Sequence, residues 1–231
     1  MSSRVWGAIL KGHIFDLQDW MEVLHPTHSP WAEEWTINDT PRLVLRSLGF
    51  DQLNDTSDVW EAAKMLVTRL NGAFATVKKS EPLSVEGIVE RRPDGTIAQH
   101  AIFAVGGAHA RARGGSLSGF VQVGPTAVQR WIELADQNDL IDDLLVHQSA
   151  EPSWYNLYKA FEVIRELCGG HRELERRDWC PSNLARFTHT ANFYRHSGAH
   201  PARQSPPKDP MPLPDATNLI RGMANAFLQE H

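Results

Sequence analysis

The chain has 231 residues, 42% hydrophobic and 22% charged, with only Cys168 and Cys180 as cysteines; that makes a folded protein able to bury a core without a disulfide framework or a four-cysteine zinc site. Its net charge of −5 argues against indiscriminate coating of nucleic acid. No apolar run approaches the roughly 20 residues of a membrane span, and Met1 to Trp6 lacks the apolar centre of a signal peptide, so a soluble protein of a reducing, cytoplasmic compartment is expected, with no membrane partner.

In chain order, Val5 to Phe15 is apolar with small and polar residues between, and Asp16-Leu17-Gln18-Asp19-Trp20 reads as a helix start. Arg42 to Leu48 is β-like. Ser57 can cap a helix to Asn71, along which Val59, Ala63, Leu66, Val67 and Leu70 form a helical stripe. Leu83 to Arg92 and Thr96 to Val105 read as a hairpin about Pro93-Asp94-Gly95, where proline presets φ, aspartate offers an acceptor and glycine tolerates positive φ. Gly106 to Gly119, with five glycines, Arg111 and Arg113, reads as a loop, and the chain contains no GxxxxGK[ST] phosphate-binding string.

Beyond Gly124-Pro125 the chain changes character, from strands interleaved with helices to helices alone. Val128, Trp131, Ile132, Ala135, Ile141, Leu144 and Leu145 mark one helix or two with a break near Asn138; Ser153 caps another bearing Trp154, Leu157, Tyr158, Phe161, Ile164 and Leu167, which Gly169-Gly170 stops. Ser182 opens a third with Leu184, Phe187, Ala191 and Tyr194 in line. A proline-rich loop from Pro201 to Pro212 precedes a last helix from Pro214-Asp215, carrying Ala216, Leu219, Ile220, Met223, Phe227 and Leu228. The fold class expected is α+β: a mixed unit over residues 1–122, for sensing, partner binding or dimerisation, and a helical bundle over 123–231.

Charge is uneven. Residues 171–210 hold seven Arg or Lys against four acids, a local +3 that leaves −8 elsewhere, and four of the eleven histidines. Such a basic face can meet phosphates; ordinary fluctuation of a solvated surface gives the same pattern. Within it lies Asn192-Phe193-Tyr194-Arg195-His196-Ser197-Gly198-Ala199-His200: an arginine, a polar residue directly after it, and a histidine four residues further on, at the end of the penultimate helix. This string resembles the R-x(4–6)-H signature of the HEPN superfamily of nucleotide-binding helical bundles, over roughly residues 125–231. Pro201 directly after His200 departs from a regular helical setting, and a second match of this spacing, Arg165 to His171, ends in Gly-Gly and lacks the polar residue.

The resemblance implies a metal-independent endoribonuclease without cofactor, working as a homodimer that pairs two motifs, in a toxin or anti-phage defence setting, with RNA or a nucleotide as ligand and a protein partner at the N-terminal unit. His200 would be the acid or base near neutral pKa and Arg195 the fork on the scissile phosphate. His196 and Asn192 would assist catalysis, and Arg203, Arg186 and Glu162 would line the substrate. Two other readings of these residues stay open: a non-catalytic binding or assembly protein in which Arg195 and His200 tie the bundle together, and a small metal-dependent hydrolase using His196, His200 and His189 with Glu162. His13, His25 and His28 read as surface histidines beside proline and loops. Cys168 reads as core packing and Cys180 as a helix entrance, and no Gly-x-Ser-x-Gly elbow occurs.

Overall fold

A computed structural model describes residues 4–78, 80–101, 124–195 and 207–231. The fold is α+β. Five strands, β1 (Val5–Lys11), β2 (Trp31–Ile37), β3 (Thr40–Arg46), β4 (Ser84–Arg91) and β5 (Ile97–Ala101), form one antiparallel sheet in the order β2-β3-β1-β4-β5. β2 and β3 are joined through Asn38 (φ 48°) and Asp39 (φ 59°). Both central residues have positive φ, the turn whose twist matches that of a hairpin, and asparagine and aspartate visit that region more readily than other non-glycine residues. The Pro93-Asp94-Gly95 turn joins β4 to β5 as expected: Asp94 Oδ1 accepts from Thr96 N at 2.9 Å, and Gly95 has φ 84°.

Contacts divide the chain into residues 1–71 with 80–132, and residues 72–79 with 133–231. In the first unit the pairs Ile9↔Val44, Gly7↔Val89 and Trp35↔Arg42 put Ile9, Val44, Val89, Trp35 and Ile37 on one sheet face, where all five are buried. A Cβ at Gly7 would overlap Val44 Cγ1 on that face, so the missing side chain is what admits the neighbours. Trp6, Ala8, Leu10, Leu45 and Ile88 are buried on the other. Helices α1 (Ile14–Val23) and α2 (Thr56–Val77) bring Trp20, Val59, Ala63, Val67 and Leu70 into the core. Asn71 substitutes for a strand neighbour: its Nδ2 donates to Leu83 O and its Oδ1 accepts from Leu83 N, both at 2.8 Å.

Among the described residues six helices follow, α3 (Ala127–Ala135), α4 (Asp139–Ser149), α5 (Trp154–Leu167), α6 (His171–Glu175), α7 (Leu184–Tyr194) and α8 (Leu213–Gln229). The expected break falls at Asn138, whose Oδ1 accepts from Leu140 N at 3.0 Å, and Ser153 Oγ accepts from Asn156 N at 3.1 Å; each such cap contributes about 1 kcal/mol. Ser182 caps nothing: the N-cap of α7 is Asn183, without a side-chain bond. In the second unit α5 is central, packing on α4, α7 and α8, with Phe161 edge-on to Phe187 at 5.8 Å. The expected loop over 106–119 and the end of the hairpin past 101 lie outside the described residues. Among the described residues no helix is long and apolar enough to cross a membrane.

Candidate functional site

Arg195 closes α7, its N–H donating to Ala191 O at 2.9 Å. Its side chain turns back onto α5. The guanidinium carbon lies 3.7 Å from the centroid of the Tyr158 ring, and Nη1 is 4.0 Å from Glu162 Oε1. Tyr158 and Glu162 are one helical turn apart on α5 and so share a face. Stacking on a largely desolvated ring is worth about 1–2 kcal/mol, while an ion pair at that separation adds little. Glu162 also accepts from Lys159 Nζ at 2.9 Å, and that bond raises the lysine pKa above its ordinary value. The Arg195 side chain is 22% exposed, and its Nε is buried with no hydrogen-bond partner among the described residues. Alongside, Trp154 stacks on Tyr194 with centroids 5.7 Å apart.

Asn192 lies half-buried one turn before Arg195 on the same side of α7. Arg186 is not brought to this place. Nine residues before Arg195, it points from the opposite side of the helix roughly 13 Å away along the axis. There it donates to Asp209 O (3.1 Å), Asp209 Oδ1 (2.9 Å) and Pro210 O (3.1 Å). His196, His200 and Arg203 lie outside the described residues. His189 is exposed on α7.

One group escaped the sequence reading. His147, on α4, is half-buried, and burial pushes its imidazole below the ordinary value; Lys159 adds to the effect and Asp143 opposes it. The imidazole is thereby kept neutral at pH 7, beside the lysine that also holds Glu162. Val146-His147 at a helix end looks like a wet face, and only the packing of α4 on α5 reveals the lysine, so no local signal marks it. Burial raises both thiols, Cys168 and Cys180, above the ordinary value, which leaves them protonated and unactivated near neutrality. Among the described residues no group of three His, Cys, Asp or Glu is placed to hold a metal ion.

The arrangement can present a guanidinium held flat by an aromatic ring, one edge without an acceptor, beside a carboxylate and a lysine. A group so fixed is suited to an anionic oxygen, because its orientation entropy is already lost before the ligand arrives. Comparison of the chain with protein-family models, with curated proteins and with solved structures gives no match.

Proposed function

We propose that the helical unit is an RNA-directed module in which Arg195 holds a backbone phosphate and His200 moves the proton for cleavage by the neighbouring 2′-hydroxyl, a metal-independent endoribonuclease of HEPN-like type. The observation that carries this reading is the stacked Arg195 guanidinium with its unpartnered Nε edge. The arginine–histidine string from Arg195 to His200 supports it from the sequence side. A homodimer pairing two such motifs in the cytoplasm, a toxin or anti-phage role, and a partner at the N-terminal unit belong to the same proposal and follow from the resemblance alone.

The engagement of Arg195 with Tyr158 and Glu162 favours a second reading, a non-catalytic binding or assembly protein in which the arginine ties α7 to α5. Purified wild type, Arg195→Ala, Arg195→Lys and His200→Ala proteins incubated with mixed RNA, with and without EDTA, separate the two. The ribonuclease reading expects cleavage that survives EDTA and falls by about 10²-fold or more without His200. RNA retention without cleavage in all four proteins would move the assignment to the binding role. Cleavage abolished by EDTA would refute the metal-independent mechanism.

A further inference from the structure

A second array lies in the other unit, on the sheet face that carries Ile9, Val44 and Val89. Arg46 of β3 is opposite Trp31 of β2, and Arg91 of β4 is opposite Val5 of β1, so all three polar or aromatic side chains share this face with Trp35. The Arg46 guanidinium carbon is 4.9 Å from the Trp31 centroid and 5.6 Å from that of Trp35. Arg91 reaches the same Trp35 ring from β4, its guanidinium carbon 3.9 Å from the centroid, across the two strands that separate β2 from β4. Strands are about 4.8 Å apart, so the indole and the arginine must both lie along the sheet to meet.

The array is short of acceptors. Trp35 is 2% exposed and Arg46 5% exposed, yet Trp35 Nε1 and Arg46 Nε have no hydrogen-bond partner among the described residues. A buried donor without an acceptor costs about 1–3 kcal/mol. Arg46 spends its terminal nitrogens on Asp51 Oδ2 (2.9 Å) and Glu33 Oε1 (3.4 Å). Burial holds its pKa below the ordinary arginine value, with Asp51 and Glu33 opposing the shift and Arg91 adding to it. Arg91 makes no ion pair with a described residue. Trp31 and Arg91 are half-buried and form the solvent-facing edge of the array.

We propose that this array is an oxyanion site: a phosphate group, free or carried by a nucleotide, received by Arg46 Nε, Trp35 Nε1 and the Arg91 guanidinium. The three donors come from three strands, β3, β2 and β4, on one sheet face. Arginine forks on phosphate oxygens make short, charge-assisted bonds. The site is independent of the ribonuclease reading, which concerns the helical unit.

The indole N–H is its own reporter. The full chain with ¹⁵N-labelled tryptophan shows indole resonances from which Trp35→Phe identifies that of Trp35. Titration with inorganic phosphate, AMP and acetate at fixed ionic strength should move the Trp35 resonance saturably with phosphate and with AMP. A tighter response to AMP assigns the group to a nucleotide, and an equal one to free phosphate. Arg91→Gln should weaken the response about tenfold, as expected on losing one charge-assisted fork. Arg91→Lys keeps the charge without the fork, stands in should the glutamine variant misfold, and should also bind more weakly. A Trp35 resonance that phosphate leaves in place, one that acetate moves as readily, or wild-type affinity in both Arg91 variants would overturn the proposal.

Discussion

Gln129, near the start of α3, is fully buried and serves two structures at once. Its Oε1 accepts from Thr126 N at 3.1 Å while Thr126 Oγ1 accepts from Gln129 N at 3.2 Å, the reciprocal pair of a capping box. Its Nε2 faces the carbonyls of His25 (3.0 Å), His28 (3.0 Å) and Pro30 (2.8 Å), so one amide gathers the 25–30 loop. Gln129→Leu keeps the bulk and deletes both functions. Losing the cap costs about 1 kcal/mol. Leaving the buried Pro30 carbonyl and Thr126 N–H without partners adds about 1–3 kcal/mol, while the two part-buried histidine carbonyls can recover water. Leucine returns some apolar burial, so a net loss of about 3 kcal/mol is expected. Urea denaturation followed by far-ultraviolet circular dichroism measures it as a lowered midpoint at unchanged slope. Gln129→Glu gives a sharper version. Its carboxylate would face three carbonyls, so its folded pKa is raised, and the variant's deficit should be full above that pKa and shrink as the pH falls through it. A leucine variant within about 0.5 kcal/mol of wild type, the range of a neutral surface change, would refute the assignment of this amide as the loop's anchor.

Two further outcomes are expected. Gly72→Ala in α2 should destabilise by about 2 kcal/mol, although alanine in a helix ordinarily gains about 1 kcal/mol: the added Cβ would overlap the Leu145 carbonyl oxygen on α4, and backbone cannot rotate away from overpacking as a side chain can. A urea midpoint equal to or above wild type would show that the two helices part freely. His147 has a folded pKa depressed below about 6.5, so the unfolded chain binds its proton first; stability is unaffected above that value and falls as the pH drops through it. The difference between wild type and His147→Gln in denaturant midpoints from pH 7.5 to 5 should therefore open on the acid side, and a constant difference would contradict the neutral, desolvated imidazole.

The helices were legible where period and cap agree, as at Asn138 and Ser153, because both signals are local. Helix α6 was not: five residues are too few to show a 3.6 period. The β2–β3 hairpin was read only in its second strand. Its turn is Asn38-Asp39, without the glycine that advertises such turns, and Glu33-Glu34 masks a strand whose Trp31, Glu33, Trp35 and Ile37 share one face. Thr126 and Gln129 stood at capping-box spacing, yet the glutamine's larger task, holding three carbonyls a hundred residues away, has no sequence signature. The candidate site divides in the same way. The string around Arg195 is contiguous and visible, whereas the Tyr158 ring beneath it and His147 beside Lys159 depend on which helices pack together.

Arg186 and Thr190 of α7 hold the chain where it returns to the bundle: Arg186 takes Asp209 and Pro210, and Thr190 Oγ1 accepts from Met211 N at 3.1 Å. Residues 196–206 therefore connect two points that α7 fixes by itself, Arg195 at its end and Asp209–Met211 along its side. The described chain on either side of that stretch is thus registered to one helix, so Arg186→Ala would loosen the return into α8 without touching the stack of Arg195 on Tyr158.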